Sequence, residues 1–298
     1  MNTRSKALIA VIIGNAIFGL SFLFSKVALE MTIPSVLLAA RFSTAFLVLN
    51  LVVLFGRKWI DFSLKGKPLK YILLLAIFQP VIYFIAESYG IEYTSSAFAG
   101  TIIAVIPIIG IVFDVLIMHV KVTKKQVICS VCSVIGVAIT TMGAAQTKTS
   151  VFGIVMLFIA VIAGALFYVF SQKAGEYYNP VERTYVMFGI GSVVFVAFAL
   201  AECAGNYKTM IVPAILSGDF WGCILYLAVF SSVIAFMTLN YGSSHISVSE
   251  ASIFANITTV ISIVAGVIIL HESFTVPQFV GAVIIILSVY IASAGKGK

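Results

Sequence analysis

The sequence predicts an all-α integral membrane protein with ten transmembrane helices arranged as two inverted five-helix repeats. Three observations predict this class: an apolar composition, ten separate apolar segments and an internal repeat. Of the 298 residues, 61% are apolar and 10% are charged, against about 45–50% and about 25% in soluble domains. A soluble fold of this length could not bury so many apolar side chains, and a disordered chain would be rich in charge.

Gly, Pro and charged clusters divide the chain into apolar segments, each close to the length of about 20 residues that crosses a bilayer as a helix. The predicted helices cover residues 6–27, 35–56, 71–91, 95–118, 125–143, 151–171, 181–201, 219–240, 247–270 and 276–294. The first segment is longer than a signal-peptide core and ends without a small-residue cleavage site. We therefore expect it to remain as the first membrane helix.

The distribution of Lys and Arg predicts the orientation of the helices. Fourteen of the 18 Lys and Arg residues fall in one set of alternate loops, and only three fall in the other set. Because basic loops remain in the cytoplasm, we expect a multi-pass protein of the cytoplasmic membrane with both termini inside. This placement also accounts for the net charge of +7 without nucleic acid as a partner.

The two halves of the chain resemble each other. At an offset of 146 residues, identical residues recur at Leu20, Phe24, Ser25, Ala28, Glu30, Pro34 and Phe42. At an offset of 152, they recur at Tyr89, Gly90, Ser95, Ala99, His119, Thr123 and Gln126. These matches predict one repeat over residues 1–143 and another over 151–298. A repeat of five helices is odd-numbered, so the second copy enters the membrane in the opposite orientation, as in many secondary transporters.

Several segments resemble a known family. They are IPSVLLAARFSTAF around Arg41, YGIEYTSSAFAGTIIAVIP ending at Pro107, SSVIAFMTLNYGSSHISVSEASI, and ILHESFTVPQFVGAVIIILSVYI with Glu272. In these segments the chain is similar to the EamA-type transporters of the drug/metabolite transporter superfamily. The resemblance covers the whole chain. It implies a ten-helix bundle that imports or exports small metabolites.

Polar and aromatic side chains inside the predicted helices are the candidate substrate-binding residues, because such groups face a bundle interior or a wet cavity. They are Asn15, Phe18, Phe22, Gln79, Tyr83, Tyr168 and Asn256. The amides of Asn15 and Asn256 either line a cavity or hydrogen-bond between helices. Gln79 and Tyr83 share a helix face beside Pro80, which either opens the helix at a binding site or only kinks it.

Four charged residues in the spans are candidates for gating or coupling: Arg41, Glu87, Asp114 and Glu250. Arg41 and Glu87 lie at similar depths below the predicted outer surface, so an ion pair between them would form an outer gate. Alternatively, Arg41 extends to the lipid headgroups or pairs with another carboxylate, and Glu87 faces external water. Asp114 and Glu250 are either proton-coupling carboxylates or acidic groups at the cytoplasmic interface.

No motif for hydrolysis or nucleotide binding occurs in the sequence: HExxH, GxSxG and GxxxxGK[ST] are all absent. We therefore expect no enzymatic activity, no cofactor and no metal. The expected partners are a small-molecule substrate and the lipid bilayer, and the oligomeric state stays open, with a monomer compatible with the sequence. The leading hypothesis is a secondary transporter that exports small organic metabolites such as amino acids by alternating access. The alternative is a non-transporting membrane protein, such as a receptor or a lipid-interacting scaffold.

The four cysteines give little information about function. Cys203 and Cys223 flank a predicted outer loop, and the sequence leaves open whether they form a disulfide.

Overall fold

The computed structural model describes residues 2–56, 62–93, 102–140, 150–269 and 276–293. Every regular element in these ranges is a helix, and helical structure occurs in each of the ten predicted segments. The predicted all-α membrane class is therefore confirmed.

Helices of the first half of the chain occur in each of its five predicted segments. The helices are α1 (Thr3–Leu29), α2 (Pro34–Phe55), α3 (Leu69–Ala76), α4 (Tyr83–Glu92), α5 (Ile106–Leu116) and α6 (Lys124–Thr140). A π-helical segment (Ile77–Ile82) joins α3 to α4, so that the three form one crossing. Two of the helices begin at residues that favour a helix N-terminus. The Asn2 side chain accepts hydrogen bonds from two backbone amides of α1, and Pro34 is the first residue of α2.

The second half repeats this order and adds two short helices in the connection that the sequence leaves as a loop. Its helices are α7 (Val151–Ala174), α8 (Pro180–Glu202), α9 (Tyr207–Met210), α10 (Val212–Leu216), α11 (Gly218–Leu225), α12 (Ala235–Ser243), α13 (Val248–Phe254), α14 (Ile257–Ile269) and α15 (Val276–Ser293). A π-helical segment (Tyr226–Ile234) joins α11 to α12. A capping box between Asn179 and Glu182 begins α8.

Among the residues that the structure describes, six helical stretches are long and apolar enough to cross a membrane. They are Thr3–Leu29, Pro34–Phe55, Leu69–Gly90, Val151–Ala174, Pro180–Glu202 and Gly218–Ser243. The remaining predicted spans contain shorter apolar helices, and each of those predicted ranges extends into residues outside the described part of the chain. The predicted helix at 247–270 is not continuous, because it is interrupted at Ala255 and Asn256. Uniformly apolar sequence does not distinguish a continuous helix from a broken one.

The packing of the helices follows the repeat. Helix α1 packs against α12 and α14, whereas its repeat mate α7 packs against the corresponding helices α4 and α5. Helix α2 packs against its own mate α8, and α6 packs against its own mate α15. These contacts are unchanged when the two halves are exchanged, as expected for two repeats related by a pseudo-two-fold axis.

An aromatic cluster fills the centre of the bundle. The ring centroid of Phe42 lies 5.3 Å from that of Phe84 and 5.2 Å from that of Phe188. The centroid of Phe236 lies 5.3 Å from that of Phe188 and 5.2 Å from that of Phe18. The rings come from five helices, so their edge-to-face packing holds the two halves together.

Candidate substrate site

Arg41 lies at the centre of the candidate site. Its side chain projects from α2, and only 4% of the residue is exposed. The Nε atom donates a hydrogen bond to Ser232 Oγ, and Nη2 donates to Ser231 Oγ, both at 2.9 Å. Both serines belong to the π-helical segment Tyr226–Ile234, so the second half of the chain orients an arginine from the first half.

Two aromatic rings of the central cluster flank the guanidinium group. Its carbon lies 5.1 Å from the ring centroid of Phe84 and 5.4 Å from that of Phe42. Both distances are within the range of a cation–π interaction, which gains strength where water is excluded. The rings therefore stabilise the cation and also place apolar surface directly beside it.

Glu87 provides the opposite charge in this region. The Tyr83 hydroxyl donates a hydrogen bond of 2.9 Å to its carboxylate, one helical turn away on α4. Glu87 lies three residues beyond Phe84, whose ring contacts the Arg41 guanidinium group. However, among the described residues the ion pairs within 4.0 Å are Arg4–Glu250 and Lys67–Glu182. The Arg41 guanidinium group and the Glu87 carboxylate are therefore more than 4.0 Å apart, and the outer gate stays a prediction.

Tyr83 packs closely against α7. A Cβ atom added at Gly164 would lie 3.2 Å from the Tyr83 ring and 2.8 Å from Ile106. Tyr168 is buried one turn further along the same helix. The absence of a side chain at Gly164 therefore lets α7 approach the Tyr83 ring, whose hydroxyl is hydrogen-bonded to Glu87. Glycine is expected at such a close contact between helices.

The helix opens where the sequence predicts, beside Pro80. Gln79 has an extended backbone (φ −146°, ψ 123°) within an otherwise helical crossing, and its side chain is buried. The Pro80 ring packs against α8, where a Cβ atom at Gly191 would lie 2.8 Å from it. The interruption is therefore enclosed by protein, which a break at membrane depth requires.

The two predicted amides form hydrogen bonds to neighbouring groups. The Asn15 side chain donates to the Val11 carbonyl of its own helix. The Thr258 hydroxyl of α14 lies 3.1 Å from the Asn15 backbone carbonyl oxygen and 3.5 Å from the Asn15 side-chain oxygen, and it donates to them. Asn256 donates to Ser133 Oγ at 2.9 Å, which joins the break before α14 to α6. These contacts match the interhelical alternative, whereas a role in substrate binding stays a prediction. Phe18 lies in the aromatic cluster, and the Phe22 side chain is outside the part of the chain that the structure describes.

Asp114 and Glu250 also have partners. Asp114 is fully buried and accepts from the backbone amides of Val248 and Ser249, which caps the start of α13. Glu250 forms an ion pair with Arg4 of α1. Both carboxylates hold helix ends together in this conformation, and their predicted role in coupling stays untested.

Sequence reasoning did not identify Ser231, Ser232 or Arg183 as candidate residues. The repeat contained a signal for the serines, since the offset of 152 places Ser231 at the position of Gln79 and Ser232 at the position of Pro80. The interruption at Gln79 and Pro80 in the first half therefore corresponds in the second half to Ser231 and Ser232, which accept the hydrogen bonds of Arg41. Arg183 is one of the fourteen basic residues that the sequence assigns to cytoplasmic loops, although only 1% of it is exposed.

Arg183 joins three segments near the start of α8. Its Nη1 atom donates to the carbonyl and hydroxyl of Ser171, and Nη2 donates to the Asn240 carbonyl and the Ser244 hydroxyl. Ser171 also donates to the Asn240 side chain at 2.7 Å. This network connects α7, α8 and α12.

Cys203 and Cys223 are both buried free thiols. The disulfide that the sequence left open is therefore not formed in this structure.

A bundle of repeated halves with charged and polar groups enclosed at its centre defines the class of polytopic membrane transporters. Within that class, residues 5–142 and 151–294 each match the EamA-like transporter family. The chain belongs to this family and is a membrane transporter, not an enzyme.

Relatives with similar sequences have transporter names. The chain is 34% identical to the uncharacterized transporter YcxC of Bacillus subtilis (strain 168), with 96% of this chain and 92% of that protein covered. It is 27% identical to the uncharacterized transporter YetK of the same organism, with 94% and 84% covered. A solved structure described only as the crystal structure of a protein has a TM-score of 0.79 at 15% identity, and it covers 97% of this chain and 96% of its own. This last likeness concerns the fold alone.

Proposed function

We propose that the protein is a secondary transporter that exports small organic metabolites, such as amino acids, by alternating access. A gradient drives transport, or transport is passive, because the sequence has no nucleotide-binding motif. The observation that carries the proposal is the enclosed site of Arg41, Tyr83 and Glu87, in which polar groups meet aromatic surface at the interface of the two halves. A metabolite with charged and apolar parts fits such a lining.

The repeat supports alternating access. The contacts of α1 with the second half have equivalents in the contacts of α7 with the first half. Each half can therefore adopt the conformation of the other, which opens the centre of the bundle first to one side of the membrane and then to the other. In this conformation, ion pairs join Arg4 to Glu250 and Lys67 to Glu182. On the proposed orientation, these ion pairs lie on the cytoplasmic side.

Counterflow in proteoliposomes tests the proposed transport. Purified protein is reconstituted into vesicles loaded with a pool of metabolites, and uptake of the same labelled compounds is compared with uptake by protein-free vesicles. We expect transient accumulation of at least one small polar metabolite. A folded protein that accumulates no solute would contradict the proposal.

The orientation is tested by thiol labelling with a membrane-impermeant maleimide. Ser63→Cys is expected to react only after permeabilisation, and Lys208→Cys is expected to react in intact cells. The native thiols give a low background, because burial raises the pKa of the Cys203 thiol and the other cysteines are wholly or partly buried. The opposite labelling pattern would reverse the proposed topology.

A further inference from the structure

Arg41 is a buried cation that has more hydrogen-bond donors than protein acceptors. A guanidinium group carries five N–H donors. Nε donates to Ser232 and Nη2 donates to Ser231. No other acceptor within the described ranges forms a hydrogen bond with Arg41. Because the serines hold one edge of the planar group, the direction of its remaining donors is fixed as well.

The charge of Arg41 is only partly balanced by its surroundings. Its hydrogen-bond partners are neutral hydroxyls, and its other close neighbours are the faces of Phe84 and Phe42. Within the described ranges no carboxylate lies within 4.0 Å of it. Glu87 lies three residues beyond Phe84 on α4 and accepts a hydrogen bond from Tyr83. Opposite charges held apart in a low-dielectric interior form a fixed dipole that favours a ligand of the reverse polarity.

We propose that Arg41 and Glu87 form a clamp for a small zwitterion, with the substrate carboxylate on Arg41, its ammonium group on Glu87 and its apolar part against Phe84 and Phe42. This assignment rests on the proposed transport function. A zwitterion adds no net charge to the enclosed site, so the balance between Arg41 and Glu87 is retained when the substrate binds. A simple anion or cation would leave one of the two residues without a partner.

The repeat supports a single clamp in each molecule. The offset of 146 residues places Met187 at the position in the second half that corresponds to Arg41. Met187 is fully buried and receives only a weak contact from the Asn240 amide. The anchor for the carboxylate is therefore supplied by the first half alone.

The test uses counterflow with the pool of the 20 protein L-amino acids. The amino acid that accumulates most is then competed with its own carboxamide, which lacks the carboxylate, and with its deaminated acid, which lacks the ammonium group. We expect each analogue to compete at least about tenfold more weakly than the parent, since each leaves a buried charge unpaired. Competition by the carboxamide or the deaminated acid at parental strength would overturn the clamp.

Two variants test whether Arg41 binds the substrate carboxylate and whether Glu87 binds the substrate ammonium group. Arg41→Gln is expected to reduce transport of the parent amino acid at least about tenfold, and Glu87→Gln is expected to favour the deaminated acid over the parent. The amount of folded protein is checked by size-exclusion chromatography, with Gly222→Ala as a distant variant that meets no neighbour. An unchanged preference in folded Glu87→Gln would overturn the assignment of the ammonium group.

The clamp and the proposed transport function fail in different ways. If the wider metabolite pool gives accumulation but the amino acids do not, the clamp is wrong and transport stands. If no solute accumulates with folded protein, both are wrong.

Discussion

Two buried arginines in this bundle, Arg183 and Arg41, differ in the number of hydrogen-bond acceptors that surround them. Arg183 donates through both terminal nitrogens to four acceptors on α7 and at the end of α12. Arg41 donates to two serine hydroxyls, and its guanidinium group lies beside the rings of Phe84 and Phe42. Both residues are almost completely buried, so burial alone does not distinguish a structural cation from one that meets a ligand. The number of acceptors that the protein supplies makes this distinction.

The largest expected effect is on stability at Arg183. Arg183→Gln removes the donors of two backbone carbonyls and two hydroxyls in a buried network, which we expect to cost roughly 3–5 kcal/mol of unfolding free energy. Thermal unfolding of the detergent-purified protein measures the change. Arg41→Gln is the matched variant, and we expect it to lose less than half as much stability because only two hydroxyls lose a donor. Equal destabilisation by the two substitutions would remove the distinction between the arginines.

An intermediate effect is expected where α7 approaches the Tyr83 ring. Gly164→Ala places a methyl group 3.2 Å from that ring and 2.8 Å from Ile106, and overpacking of this kind costs about 1–3 kcal/mol. Because displacement of Tyr83 weakens its hydrogen bond to Glu87, counterflow should fall as well. Gly222→Ala is the control, since its new methyl group meets nothing within 4 Å. Normal transport by Gly164→Ala would show that the position of the Tyr83 ring is unimportant.

The smallest expected effect concerns the ion pair nearest to Arg183. Lys67 lies 2.7 Å from Glu182, and its side chain is 28% exposed. Glu182 also accepts from the backbone amides of Ser63 and Asn179, so it keeps partners when the lysine is removed. We expect Lys67→Gln to cost less than about 1 kcal/mol in thermal unfolding. A loss as large as that of Arg183→Gln would show that the charges outside the membrane helices, and not the buried network, hold this end of the bundle.

The sequence located part of the candidate site. Arg41, Glu87 and Tyr83 were recognisable because polar groups are costly inside apolar helices, and helical spacing places Tyr83 beside Glu87. Ser231 and Ser232 were missed, since small hydroxyls are common in membrane helices and no local pattern connects α2 to a segment about 190 residues further along the chain. The amides of Asn15 and Asn256 were recognised as polar, but the sequence could not identify Thr258 and Ser133 as their partners.

The sequence by itself determined the membrane class, the repeated halves and the interruption at Pro80, because these depend on the length of apolar runs, internal similarity and the missing amide of proline. Only the tertiary structure decided which charges have partners. It gives the terminal nitrogens of Arg183 four carbonyl and hydroxyl acceptors and gives Arg41 two serine hydroxyls, although the sequence places Arg183 in a cytoplasmic loop and Arg41 within a span. The physical reason is that hydrogen bonds between helices depend on how the two halves pack together, and that packing brings into contact residues that are far apart in the sequence.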